Sequence, residues 1–520
     1  MENTRNARRR AALTLSLFAL MLAALVMLMV SIGAKKDGFD IDEYWTYGLA
    51  NSYRQPFLSV PEGQWISGTA FSDYLQVGSH AHEYLNVYEN QIADVHPPLY
   101  YLLMHALSSV FRAAGFTKWT GIALNLFFFC VTQAALLALS CLLLSQDGQM
   151  TPLALLPGML YGLSAGAASS VVFIRMYAMM TMWGALLALV LVRLWQAGQS
   201  LGRLRALAAI LICGFLTQYY FVILACMLCG AYFLGKLVRR EFAQAGRFAG
   251  WCLFALALAV ALFPWCMQHI FGGVRGKEAI SSAAGLKLSD FARWFSILFG
   301  VVDAQQFGGL LLVLLGVGAL LALIPLGKPR AEMAMPLTAL LACGGYVAVI
   351  AAVSPYKVDR YIFCVYPLVT LALFVLLERG GMRFGAKRWA ACLLACAVLA
   401  ACGGRVNRAQ QVHYLFEGDS AYVSACEERA DLPCVVLGTN DMTQNILEFA
   451  AFDRVCVLEK ENAAGVAQAL DALEDGALEG GFMLFERYPD DAQVDTIVHE
   501  TGMQQADLLF THQYRVYWVH

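Results

Sequence analysis

Charge is scarce in this 520-residue chain: 14% of its residues are Asp, Glu, Lys or Arg, against 59% hydrophobic. A water-soluble fold of this length would need far more polar surface. The balance excludes that class and fits a polytopic membrane protein, whose outer face is covered by lipid. A formal net charge of -2 gives no bulk signal for nucleic acid. The tail has no glycine-rich phosphate loop after any of its apolar runs, so a nucleotide-sugar site is not expected there. The outer loop and the tail also lack any Asn-x-Ser/Thr site. The fifteen cysteines suggest neither a zinc site nor a disulfide framework. Cys130, Cys141, Cys226 and Cys229 lie in apolar runs and read as small lipid-compatible side chains. Cys426, Cys434 and Cys456 lie in the polar tail, where one bridge or three free thiols would fit.

What is present is a series of long apolar runs. The first, after "RNARRR", is too long for a signal peptide and reads as a transmembrane helix with a cytoplasmic N-terminus. Basic clusters at Arg193/Arg203/Arg205, Lys236/Arg239/Arg240/Arg247, Lys328/Arg330 and Arg379/Arg383/Lys387/Arg388 mark cytoplasmic turns. Hairpins follow over 204–219 with 221–237, 249–270 with 307–327, and 335–353 with 361–377, with a last span at 389–403. A long outer loop is expected over 271–305. Between residue 34 and Arg193, the runs 98–111, 119–145, 152–171 and 176–195 are one too many for this parity. The first has a polar stripe, His105, Ser108/Ser109 and Arg112, opposite Leu99, Leu102, Leu103, Ala106, Leu107 and Val110. It reads as a helix lying at the outer interface over 98–112. Eleven crossings result, N-terminus in and C-terminus out, with 146–151 ("QDGQMT") as a cytoplasmic turn.

Ionisable groups then collect at the outer ends. "FDIDEYWTY" brings Asp42 and Glu43 just after the first span, and "DVHPPLYY" pins Asp94 and His96 before a proline-started helix. "IRMYAMM" contributes Arg175 and Tyr177, "LTQYYF" contributes Gln218 and Tyr219, and "SPYKVDRY" contributes Lys357, Asp359, Arg360 and Tyr361. One such group could anchor a helix end among headgroups or cap a helix. Three basic or aromatic outer turns facing an acidic loop suit instead a ligand with an anionic head and an apolar tail, and a reaction that needs a base.

In these stretches the chain resembles the GT-C superfamily of membrane glycosyltransferases. The similar branch is family 39, which includes protein O-mannosyltransferases and lipid A aminoarabinose transferases. The carrying blocks are "DEYWTYGLA", "DVHPPLYYLLMHAL", "IRMYAMM", "LTQYYF" and "RYIFCVYPLVTLAL", in family order over roughly residues 30–375. The pattern differs at Gln218, where relatives often have His, and near "WTGIALN", where an arginine is missing. The resemblance implies an all-α GT-C bundle and a polyprenyl-phosphate sugar donor used on the outer face. It implies transfer with inversion to a hydroxyl of an envelope glycan, lipid or protein, with Asp42 as the base. Arg175, Arg360 and Lys357 would stabilise the leaving phosphate, so that neither metal nor cofactor is expected. Glu43, Asp94, His96, Tyr177, Gln218, Tyr219 and Tyr361 would line the substrate site. A flippase of a lipid-linked sugar, or a non-catalytic glycan-binding relative, is the alternative. Transporters, however, place polar groups near the midplane in matched halves, and no repeat is visible here.

Residues 1–404 are expected to form the membrane domain, with 34–116 as its catalytic outer loop. Residues 405–520, with 20 acidic and 7 basic residues, differ in composition. "PCVVLGT", "RVCVLE", "GFMLFE" and "YRVYWVH" read as strands, and "TQNILEFAAF", "AAGVAQALDALE" and "QVDTIVHETG" as helices. A small extracytoplasmic α/β domain is expected, in a protein of the cell membrane, most naturally a bacterial plasma membrane.

Overall fold

The computed structural model describes residues 2–144, 151–323, 331–408, 411–439, 442–459, 463–474, 476–488 and 490–520. The turn expected at 146–151 falls almost wholly outside them, as does the basic pair Lys328/Arg330. By packing, the chain divides into two units. The membrane unit holds residues 1–34, 94–100 and 121–413, and the second holds 35–93, 101–120 and 414–520. The outer loop therefore groups with the tail, not with the spans, and the division falls after His413 instead of residue 404.

In the membrane unit, among the described residues, eight helices are long and apolar enough to cross a bilayer, and two bent pairs raise the number to ten. Leu201–Phe215, at 15 residues, matches a further expected run. Asp359–Arg383 is the most enclosed span, and Ala7–Ala34 presents most of its surface outward. The run at 152–171 is not a straight helix: Pro152–Gly162 and Ala165–Val172 meet at 65°. Ser164 sits in the break, and its hydroxyl accepts from the N–H of Ala167 at 3.1 Å, starting the second piece. The expected outer loop 271–305 is largely helical, with Val274–Ala284 and Leu288–Val302. The second of these continues to Phe307 and turns by 87° into Leu311–Leu321. Gly308 takes the left-handed conformation this turn needs, and Asp303 Oδ1 accepts from the N–H groups of Gly309 and Leu311 at 3.0 and 2.9 Å. The alternation of apolar run and turn does not record such breaks.

The second unit is built on one six-stranded sheet. Its strands are β1 (Trp65–Ile66), β2 (Cys434–Leu437), β3 (Val455–Leu458), β4 (Phe482–Glu486), β5 (Ala506–Thr511) and β6 (Arg515–Val519), in the order β1-β3-β2-β4-β6-β5. β2 runs parallel to β3 and β4, and all three are buried, as the apolar runs of β2, β3 and Phe482–Phe485 require; Glu486, which ends β4, is buried with them. Helices Ala463–Asp471 and Asp491–Glu500 supply Val466, Leu470, Val494 and Ile497 to the core. The outer loop adds the edge strand β1, antiparallel to β3, and Trp65 Nε1 donates to the carbonyl of Ala469 at 2.9 Å.

Helix Leu99–Val110 has 12 residues. At 1.5 Å per residue it is about 18 Å long, too short for a hydrocarbon layer of about 30 Å. Of its polar stripe, His105 and Ser108/Ser109 turn inward, while Arg112 follows the helix end and is exposed. His105 Nδ1 donates to the carbonyl of Ala50 at 2.7 Å, Ser108 accepts from Asn51 at 3.2 Å, and Ser109 accepts from the N–H of His82 at 3.1 Å. Leu103 and Val110 face outward, Val110 at 67% exposure. All fifteen cysteines are free thiols, Cys426, Cys434 and Cys456 among them. The C-x-x-C spacing of Cys226 and Cys229 falls within the span Tyr220–Val238.

Candidate functional site

In the membrane unit the turns expected at the outer face are tied together from the backbone up. The N–H of Leu99 donates to the carbonyl of Leu216 at 3.0 Å, which joins "HPPLYY" to "LTQYYF". Tyr100 Oη donates to Asn125 Oδ1 at 3.1 Å. Asn125 Nδ2 donates in turn to the carbonyls of Val171 and Phe173 at 3.1 and 2.7 Å. These carbonyls lie at the end of helix Ala165–Val172, where intrahelical donors run out, and that of Phe173 also accepts from the N–H of Arg175 at 2.8 Å. The same asparagine thereby fixes the turn that carries Arg175.

Arg175 is only 2% exposed. Its Nη2 donates to His96 Nε2 at 3.4 Å, and His96 Nδ1 donates to Asp94 Oδ2 at 2.9 Å. The acceptor role of Nε2 sets the neutral tautomer with its proton on Nδ1. Burial raises the Asp94 carboxyl, but the hydrogen bond from His96 and the positive charge of Arg175 outweigh it and hold it below the usual range. The Arg360 guanidinium lies 5.4 Å from the ring of Phe173, two residues before Arg175, and 5.8 Å from that of Tyr361. Tyr361 packs against Tyr177 at 5.9 Å and Tyr220 at 4.9 Å. Tyr219 Oη bonds His269 Nδ1 at 2.9 Å. Asp94, His96 and Arg175 thus form one chain of contacts and Arg360, Tyr361 and Tyr177 another, joined through Phe173, whose ring faces Arg360 and whose carbonyl accepts from the N–H of Arg175 at 2.8 Å.

Two expected members stand differently. Lys357 bonds the carbonyl of Ser354 and lies 5.6 Å from the Trp294 ring, and burial lowers its ammonium. Gln218 is buried at 5% exposure, and its carbonyl closes the turn to Phe221. The sequence reading passed over Gln305, His413 and His269. Asp359 Oδ2 accepts from Gln305 Nε2 at 3.0 Å and from His413 Nδ1 at 2.7 Å. Gln305 belongs to a stretch read as loop and His413 to one read as tail, so neither carried a signal that it would reach a span.

Asp42 and Glu43 belong to the second unit. They open helix Ile41–Asn51, whose N-cap, Asp40, forms a capping box with Glu43. Glu43 is fully buried, and its Oε2 accepts from the N–H of Asp40 at 2.8 Å and from Lys36 Nζ at 2.9 Å. Lys36 also donates to the carbonyl of Tyr414 at 2.7 Å and sits between the rings of Phe39 and Phe416. Asp42 is half-buried, and its carbonyl accepts from Thr46 Oγ1 at 2.9 Å. The substrate-lining role expected of Glu43 does not fit: its carboxylate is a strut under the helix start. Among the described residues no cluster of three or more His, Cys, Asp or Glu could hold a metal.

No protein-family model matches the chain, and no curated protein does. Solved structures do. ArnT from Cupriavidus metallidurans bound to undecaprenyl phosphate superposes with a TM-score of 0.54 at 10% identity, over 96% of this chain and 97% of that one. The apo state of ArnT gives a TM-score of 0.43 at 12% identity, over 96% and 98% of the two chains. The archaeal oligosaccharyltransferase AglB from Archaeoglobus fulgidus, in complex with an inhibitory peptide and dolichol-phosphate, gives 0.43 at 12% identity, over 90% of this chain and 69% of that one.

Proposed function

We propose that this chain, which has the fold of the GT-C membrane glycosyltransferases, transfers a sugar from a polyprenyl-phosphate donor to an acceptor hydroxyl outside the cytoplasm. The observation that carries the reading is the chain Asp94–His96–Arg175, with Arg360 over the ring of Phe173, two residues before Arg175. Two guanidinium ions, one oriented by a histidine that is itself held by a carboxylate, suit a phosphate monoester anion. ArnT was solved with such a lipid phosphate bound.

In this mechanism Asp42 takes the proton of the acceptor hydroxyl. The freed oxygen forms its bond to the anomeric carbon from the face opposite the donor oxygen. The bond from that carbon to the phosphate oxygen breaks, and the electron pair leaves with the polyprenyl phosphate. Arg175 and Arg360 stabilise the charge that grows on this leaving group. His96 accepts from Arg175 and keeps its guanidinium aimed, and Asp94 fixes the His96 tautomer. Tyr177, Tyr361, Gln218 and Tyr219 are assigned to the sugar, Lys357 to the headgroup region and Glu43 to the frame of the helix that carries Asp42.

The test compares envelope glycans, lipids and glycoproteins by mass spectrometry in cells carrying the wild-type chain, the Asp42→Asn chain or none. A sugar-bearing species should appear with the wild type and be absent from the other two. Equal amounts with wild type and Asp42→Asn would overturn the assignment of the base. Equal amounts in all three would overturn the transferase reading.

A further inference from the structure

Asp359 is a carboxylate at 7% exposure in a membrane unit, and it stands directly before Arg360. It opens the tight helical turn Asp359–Val365, and its Oδ2 receives two donors brought from distant parts of the chain. Gln305 Nε2, at 3.0 Å, comes from the bend that follows Leu288–Val302. Gln305 is itself fixed, because Tyr366 Oη donates to its Oε1 at 2.7 Å. His413 Nδ1, at 2.7 Å, comes from beyond the last span, and the His413 N–H is held by Ser169 Oγ at 2.9 Å. A buried carboxylate with a histidine partner at this distance is costly to disturb, since removing the partner leaves the charge uncompensated. A displaced Asp359 displaces Arg360, its chain neighbour, which faces Phe173 and Tyr361.

We infer that His413, acting through Asp359, is a positioning residue that sets where the Arg360 guanidinium meets the donor phosphate. The inference rests on the proposed role of Arg360 in phosphate binding. His413 touches no reacting atom in this scheme. It takes the segment that follows the last span and latches it to the turn carrying Arg360, with Ser169 and Gln305 as the other two attachments. The three fix points lie 54 to 244 positions from their partners in the chain, so the turn is held by tertiary contacts and not by its local sequence.

The experiment measures binding of undecaprenyl phosphate, and of undecaprenol as the uncharged control, to the full-length protein in detergent micelles. The chains compared are wild type, His413→Ala, His413→Asn, Arg360→Ala and the double variant His413→Ala/Arg360→Ala. His413→Ala should weaken undecaprenyl phosphate about three- to tenfold, a modest part of one charged contact, and leave undecaprenol unchanged. His413→Asn, whose side-chain nitrogen takes the place of Nδ1, should restore binding to within about twofold. The double variant should bind no more weakly than Arg360→Ala, because both act on one contact. Additive losses, an equal loss for undecaprenol, or wild-type binding by His413→Ala beside a weakened Arg360→Ala would overturn the inference and leave the role of Arg360 standing. Wild-type binding by Arg360→Ala would overturn that role and the inference with it.

Discussion

Asp42 and Glu43 are adjacent carboxylates with opposite surroundings. Glu43 is sealed against Lys36 and the N–H of Asp40, while Asp42 is half-buried one helical step away, about 100° around the axis. The two should respond to amide substitution in opposite ways. Glu43→Gln breaks a buried ion pair, which typically costs about 3–5 kcal/mol. It should lower the thermal unfolding midpoint and the yield of folded protein. Asp42→Asn should unfold like the wild type and lose about 10²–10⁴-fold in transfer rate, the usual worth of a placed base. Lys36→Met combined with Glu43→Leu should be more stable than either single variant, since no lone charge is left inside. Unfolding curves and initial transfer rates on the same preparations check this. An unaltered midpoint for Glu43→Gln would show that the buried pair contributes little to stability.

At the scale of elements, helix Leu99–Val110 carries His105, Ser108 and Ser109 inward beside the fully buried Tyr100, Tyr101 and Met104, and the face it leaves exposed, with Leu103 and Val110, is apolar, unlike that of a surface helix in water. Such a helix belongs at a lipid interface. A polarity-sensitive probe on Val110→Cys, in a background cleared of reactive native cysteines, should report an apolar environment and be quenched by spin-labelled lipid. Emission as in water would exclude that placement. The periodicity of this helix was legible in the sequence because a twelve-residue stripe needs no partner to be seen. The long apolar runs were legible for the same reason, as were the unbroken strands β2, β3 and β4. The bends at Ser164 and Gly308 were not, because a cap and a left-handed glycine interrupt helices without lowering their hydropathy. β5 was missed because its burial does not alternate and its register slips between Leu508 and Phe510. Within the candidate site, Asp94, His96 and Arg175 stood out as titratable groups in apolar surroundings. Gln305 and His413 acquire meaning only through Asp359, and no local pattern points to it.

At the scale of the whole molecule, the sheet unit carries its own pH dependence. His512 Nδ1 bonds Glu448 Oε1 at 2.9 Å, Asn445 Nδ2 donates to the same oxygen at 3.1 Å, and Tyr422 stacks on the His512 ring. Burial lowers the imidazole, but the hydrogen bond to Glu448 and the charges of Glu448 and Asp419 outweigh it and raise it above 6.5. A histidine raised in the folded state contributes its full stabilisation below 6.5 and loses it as pH rises through the folded value. The wild-type unfolding midpoint should therefore fall between about pH 6 and pH 9. Glu448→Gln should start lower at pH 6 and change less over the same range. Parallel curves for the two chains would show that Glu448 is not what raises the His512 imidazole in the folded protein.

The edge strand β1 pairs Trp65 with Cys456 and Ile66 with Val455. The two sides of that ladder are therefore made at very different times. At about 5–20 residues per second, the stretch between them takes roughly 20–80 s to synthesise. Throughout that interval β1 has been synthesised and β3, the strand it pairs with, has not. Such a chain cannot close its sheet until the spans in between have been synthesised, so the wait is set by translation speed and not by the intrinsic folding rate of the sheet.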